Sequence, residues 1–244
     1  MKREVLVADF SLVYEAEGFL SFLQGTGLAV RHVALGDLEG TMCYCDAEAV
    51  GQLRRRLAPA AGAFIRWIDS GDYHYVTKIL AEFQTAPFVL VLIDNHPDDQ
   101  EPAFGGVLSC GSWVKEMRKE NPLLEEVWTL GPDHRIRSTG GVDRELEAGI
   151  DDLLEAVEGK RIYLSVDKDV LDRTWSRTDW SQGTYTLETL SGWLKALMDK
   201  DVVAIDLCGE LTPAKGATPE DLRINGETNR ILQGLILECD ETLH

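Results

Sequence analysis

Two hydrophobic patterns alternate along this chain. Short apolar runs occupy residues 4–9, 64–68, 88–93, 127–130, 161–169 and 201–206. Val, Ile and Leu dominate them, which suits strands buried on both faces of a parallel sheet, although a short run alone also fits a helical segment. Between the runs, apolar residues recur at three- and four-residue spacing over roughly 14–24, 47–57, 76–83, 113–118, 145–157, 187–200 and 229–239. That spacing puts one apolar stripe on a helix. Gly25-Thr26-Gly27 breaks the first helix, and residues 58–63 read as a loop. Strand and helix in alternation predict an α/β fold around a mostly parallel sheet.

Two of the runs end in polar side chains that change the picture. Residues 88–93 lead into Asp94-Asn95-His96-Pro97-Asp98. If the backbone stays extended, Asp94, His96 and Asp98 point to one side where the strand leaves the sheet. Pro97, without an amide hydrogen, helps end the ladder there. Open α/β sheets place their sites at these carboxyl ends. A carboxylate, an imidazole and a carboxylate converging there form a metal-ligand set; the plainer alternative is a solvated acidic loop. Residues 161–169 repeat the arrangement, ending in Asp167 and Asp169. Crowded carboxylates repel, so four of them beside imidazoles call for about two divalent ions.

Composition bounds the reading independently. The 244 residues suit one α/β domain over 1–244, with no compositional break or internal repeat. Lys and Arg number 24 against 42 Asp and Glu, a net charge of −18. Such a surface repels nucleic acid and anionic membrane and draws in a small cationic substrate. Arg54 to Arg56 fit the solvated C-terminal end of a helix. Five cysteines without periodic spacing fit a reducing compartment. Cys43 and Cys45 read as buried or half-exposed thiols in preference to a metal or redox pair. The N-terminal apolar run is too short for a signal peptide, and no run reaches about 18 residues, so a soluble cytoplasmic protein is expected. Nothing in the sequence sets the oligomeric state, and a homo-oligomer stays open.

The segments Asp94-Asn-His96-Pro-Asp98 and Ser165-Val-Asp167-Lys-Asp169-Val-Leu-Asp172 resemble the two signature segments of the ureohydrolase family, the arginase and agmatinase group, D-A-H-x-D and S-x-D-x-D-x-x-D. The resemblance implies an arginase- and deacetylase-like three-layer α/β/α fold. It further implies a binuclear manganese site whose bridging hydroxide attacks a guanidinium carbon and releases urea. By the same resemblance Asp94 and Asp167 bridge the ions, His74 and Asp98 complete one coordination sphere, and His96 and Asp169 the other. His74 enters through Gly71-Asp72-Tyr73-His74, one residue longer than the family's G-G-D-H; the alternative is a histidine capping the next helix or bonded within its loop. Asp72 is expected to accept backbone hydrogen bonds and orient the turn.

Glu210 lies in Asp206-Leu-Cys-Gly-Glu210-Leu-Thr-Pro213, which resembles the family's D-x-x-E-x-x-P with one extra residue. There the glutamate pairs with the guanidinium, a planar cation well matched to a carboxylate; the alternative is a displaced, solvent-exposed side chain. The family's proton-shuttling histidine has no counterpart after Ser109, where Cys110 and Ser112 stand. Trp175 and Trp180 replace a proline-rich loop, either to wall a pocket or to cover the sheet. His134 reads as an exposed loop residue. Two alternatives to the hydrolase of guanidino or linear amidine compounds remain. One is a deacetylase-like amidohydrolase holding a single zinc on Asp94, His96 and Asp167; the other is a non-catalytic metal-binding protein. The oxygen-rich ligand set favours two manganese ions over zinc.

Overall fold

The computed structural model describes residues 4–103, 105–131, 136–139, 144–146 and 150–242. β1 (Glu4–Asp9) leads through α1 (Val13–Ala16) and α2 (Phe19–Gly25) to β2 (Ala29–Ala34). β3 (Tyr44–Cys45), α3 (Ala47–Leu57), β4 (Ile65–Ile68), α4 (Val76–Ala81) and β5 (Phe88–Ile93) come after it. Next are β6 (Leu108–Ser109), α5 (Trp113–Glu120), β7 (Leu124–Leu130), β8 (Ile136–Thr139) and β9 (Arg144–Leu146). The series closes with α6 (Ile150–Ala156), β10 (Ile162–Asp167), α7 (Leu187–Met198), β11 (Val202–Cys208) and α8 (Pro219–Thr242).

A nine-stranded sheet runs in the order β2-β1-β4-β11-β10-β5-β7-β8-β9. Neighbours from β2 to β7 are parallel, and β8 and β9 add an antiparallel edge. Alternating side chains supply two cores. Val5, Val7, Val89 and Val91 pack under α1, α2, α6, α7 and α8, while Leu6, Ala8, Leu90 and Leu92 pack under α3, α4 and α5. Helices on both faces of a parallel sheet make three α/β/α layers, and they explain why every residue of Phe88–Ile93 is apolar and buried.

Local chemistry sets the helix ends. Asp46 caps α3 by accepting the Ala49 N–H at 2.8 Å, and Arg54 to Arg56 crowd its final turn against the negative end of the helix dipole. Thr186 caps α7 through the Thr189 N–H at 3.1 Å.

Two expectations need correction. The helix read over 14–24 is two helices, because Gly18 turns left-handed at φ 67° between them. The helix read over 145–157 is shorter, α6 spanning Ile150–Ala156 with Arg144–Leu146 a strand. Leu153 and Val157 still face the core, so the apolar stripe is real, and residues 147–149 lie outside the described set. β2 has no apolar run to announce it, since an edge strand half open to water tolerates Arg31 and His32. His134 lies outside the described residues. Among the described residues, no helix is long and apolar enough to cross a membrane.

Candidate metal centre

The sheet order puts β4, β11, β10 and β5 side by side, and the candidate ligands issue from their carboxyl ends. Alternation along each strand selects the face. Asp94 continues the row Phe88, Leu90, Leu92; Asp167 continues Tyr163 and Ser165; Cys208 continues Ala204 and Asp206. All three tip toward the α3–α4–α5 side of the sheet. His74 arrives there from β4 through a single 3-10 turn, Gly71–Tyr73, just before α4.

Beyond the strand ends the backbone does not stay extended. Asp98 adopts a left-handed φ of 47°, and Asp169 sits in the one-turn 3-10 helix Lys168–Val170. Local hydrogen bonds hold these loops: His96 N–H donates to Asp94 Oδ1 at 2.6 Å and Asp169 N–H to Asp167 Oδ1 at 2.9 Å. The pleat therefore aims Asp94 and Asp167, while turned loops return Asp98 and Asp169 to the same place.

His74 is 1% exposed. Its Nε2 lies 2.8 Å from Ser165 Oγ, leaving Nδ1 to face the carboxylates. Nδ1 stands 3.1 Å from both Asp94 Oδ2 and Asp98 Oδ2 and 3.6 Å from Asp167 Oδ2, yet it makes no hydrogen bond. A buried imidazole with one nitrogen anchored and the other unpartnered among acidic oxygens fits a cation ligand. His96 Nδ1 approaches Asp169 Oδ2 at 2.7 Å, and its Nε2 approaches Ser181 Oγ at 2.8 Å.

Three sets of donor atoms each lie within 4.8 Å of one another: His74, Asp94, Asp98; His74, Asp167, Cys208; and Asp94, His96, Asp169. Asp94 belongs to a set at each pole. Titration reports the crowding. Burial, then the charge of Asp94, pushes Asp98 up to about 7. Burial, followed by the charges of neighbouring aspartates, raises Asp167 and raises Asp169 well above the ordinary range. For Asp94, burial pushes upward but the two imidazoles outweigh it and lower the pKa. The hydrogen bonds to Asp169 and Asp94 raise His96 to about 10. On His74, burial opposes the charge and is outweighed by Cys208, Asp94 and Asp98, so its pKa rises well above that of free imidazole. The site favours positive charge and resists several bare carboxylates at once, as expected where divalent cations complete the balance.

No family model matches the sequence. An uncharacterized protein of Thermotoga maritima is 28% identical over 209 residues, covering 85% of this chain and 80% of that protein. Among solved structures, proclavaminate amidino hydrolase from Streptomyces clavuligerus superimposes with a TM-score of 0.66 at 16% identity, covering 97% of this chain and 91% of that one. Arginase from Bacillus caldovelox superimposes with a TM-score of 0.62 at 13% identity, covering 97% of this chain and 98% of that one. The chain has the arginase fold.

On this arginase-like frame, Asp94, His96, Asp98, Asp167 and Asp169 line one cavity of about 40 Å³ together with Gln100, Cys110 and Trp180. Trp180 therefore walls the pocket, while Trp175 packs against the core under α7 and α8. Asp72 fixes that wall instead of bonding its own turn, a correction to the expected role. It accepts Trp180 Nε1–H at 3.1 Å and Cys43 Sγ–H at 3.3 Å, and it pairs with Lys215 at 2.6 Å. Lys215 also holds Asp179 at 2.5 Å. Gly71 is glycine because a Cβ there would sit 2.9 Å from Asp167 Oδ2 and 3.2 Å from Trp180 Cδ1.

Glu210 is not brought to the cavity. The residue is fully buried, and its Oε1 accepts from Lys168 Nζ at 2.5 Å and Asn229 Nδ2 at 2.9 Å. Gly209, just before it, takes a left-handed φ of 103° where a Cβ would come within 2.4 Å of Asp167 Oδ1. Glu210 is thus neither the solvent-exposed side chain of the alternative nor in reach of a ligand among the metal-facing residues.

Sequence reasoning assigned no role to Ser165, Cys208, Gln100 or Trp113, whose Nε1–H donates to Asp98 Oδ2 at 2.6 Å. Ser165 was legible, because its two-residue offset from Asp167 puts both on one strand face. Cys208 had a weaker signal at the end of an apolar run, and Gln100 and Trp113 had none.

Proposed function

We propose that this chain is a divergent ureohydrolase, a hydrolase using two divalent ions to cleave a C–N bond in a small guanidino or linear amidine compound. The supporting observation is the buried His74 Nδ1, which makes no hydrogen bond yet sits among the converging carboxylates of Asp94, Asp98 and Asp167. Divalent ions held by His74, Asp94, His96, Asp98, Asp167 and Asp169 would supply Lewis acidity, acidifying water and polarising a planar carbon. Oxygen donors dominate that set and favour manganese. The deacetylase-like single-zinc alternative needs Asp94, His96 and Asp167 together, whereas the tight group around His96 closes on Asp169.

The protein's own residues do the rest. Asp94 ties the two poles together, Ser165 fixes the tilt of the His74 ring, and Trp113 holds Asp98 by its carboxylate. Trp180 sets its indole at 5.9 Å from the His96 ring and narrows the entrance, so the pocket suits a substrate with little bulk at its reacting end. The surplus of acidic residues draws a cation toward it.

Metal analysis after gentle purification should find about two divalent ions per chain. With manganese supplied, a screen of guanidino and amidine compounds should detect released urea or ammonia. Bound metal without turnover of any compound overturns the hydrolase reading in favour of a non-catalytic metal protein, and one zinc per chain with amide hydrolysis favours the deacetylase-like alternative.

A further inference from the structure

We infer that Cys208 is a direct ligand of the ion at the His74 pole, making that pole a mixed imidazole, carboxylate and thiolate site for zinc while the His96 pole keeps oxygen and nitrogen donors. The inference deepens the reading above, putting zinc in place of manganese at this one pole, and rests on a divalent ion occupying this site.

Its placement comes from the sheet. Cys208 is the last residue of β11 and pairs in parallel register with Asp167, the last residue of β10, so both side chains leave the same face side by side. The residue is 1% exposed, and Sγ lies 3.3 Å from Asp167 Oδ2. Sγ, the Asp167 carboxylate and a ring nitrogen of His74 all lie within 4.8 Å of one another. Gly209 permits this approach, since a Cβ at that position would come within 2.4 Å of Asp167 Oδ1. The independent indication of a ligand is His74 itself, buried with Nδ1 lacking any hydrogen bond.

The chemistry then separates the two poles. Asp94, His96 and Asp169 present hard oxygens and one imidazole, a set that suits manganese. His74, Asp167 and Cys208 add a soft, polarizable sulfur, which suits zinc. On binding, the S–H bond breaks, a metal–sulfur bond forms and the proton leaves to solvent, so loading releases one more proton than a carboxylate set alone. The competing role for Cys208 is structural, with its S–H donating to Asp167 and never touching the ion.

The full-length protein is stripped with chelator and loaded with cobalt(II), whose thiolate complexes absorb strongly in the near ultraviolet through sulfur-to-metal charge transfer. The inference expects this band in the parent and in Cys110→Ser, and its loss in Cys208→Ser at equal bound cobalt. X-ray absorption on the zinc-loaded parent, which needs no variant to fold, should show a sulfur shell at about 2.3 Å. Bound metal with neither band nor sulfur shell overturns the inference and leaves the metal reading standing. A band that disappears in Cys110→Ser and persists in Cys208→Ser overturns it as well. A parent that binds neither cobalt nor zinc overturns both.

Discussion

Asp94 and Glu210 are two buried acidic side chains opposite in purpose. Asp94 belongs to donor sets at both poles, so Asp94→Ala should reduce bound metal from about two ions toward none, whereas Asp98→Ala should retain about one. Elemental analysis of the two variants checks the difference. Glu210 neutralises the fully buried Lys168, and removing one partner of a buried ion pair leaves an uncompensated charge. Glu210→Ala should therefore cost about 3–5 kcal/mol of stability, read from the denaturant midpoint, with metal content unchanged. Asp94 was legible as a candidate ligand because it directly follows a buried strand. The withdrawal of Glu210 was not, because its partners Lys168 and Asn229 lie 42 and 19 residues away along the chain.

At the level of elements, the pocket is framed by the turn carrying Gly71 and the loop carrying Trp180. A Cβ at Gly71 would press on Asp167 and on the Trp180 indole together. Gly71→Ala is expected to weaken metal affinity by about ten-fold or more, as losses around a metal ligand do, measurable by competition with a chelating dye. Trp180→Ala should open the entrance and raise kcat/KM for bulkier amidines relative to the smallest ones. A panel of substrates of increasing tail length tests this, and an unchanged size preference would show that another element sets the limit. Helices α3 and α7 formed where the apolar spacing and the caps Asp46 and Thr186 placed them. The region read as one helix over 14–24 did not, because Gly18 takes a left-handed turn that periodicity does not reveal.

Across the whole molecule, the buried acids link metal to stability. Burial raises Asp69 to about 7, and burial together with Asp94 does the same for Asp98. The unfolded chain gives up these protons near about pH 4, so between about 4 and 7 the folded state binds more protons. Their stabilising effect is complete below that window and lost as pH rises through it. His96, raised to about 10, continues the same trend above the ordinary imidazole range. Metal-free protein should accordingly melt at a lower temperature at pH 8 than at pH 5, and divalent ion should raise the melting temperature more at pH 8. Thermal melts with chelator and with metal at both values check the sign.

The apolar runs and the two-residue offsets in Asp94-Asn-His96 and Ser165-Val-Asp167 were enough to determine an α/β sheet with acids at its strand ends, because burial and strand alternation are local properties of a sequence. Which ends become neighbours is decided by the strand order, and that is set by packing helices on both faces of the sheet. Only that order sets Cys208 beside Asp167, carries His74 across from β4 and draws Glu210 to Lys168. The left-handed turn at Asp98 and the 3-10 turn at Asp169 belong to the same category, since the loops bend to meet side chains far away in the chain.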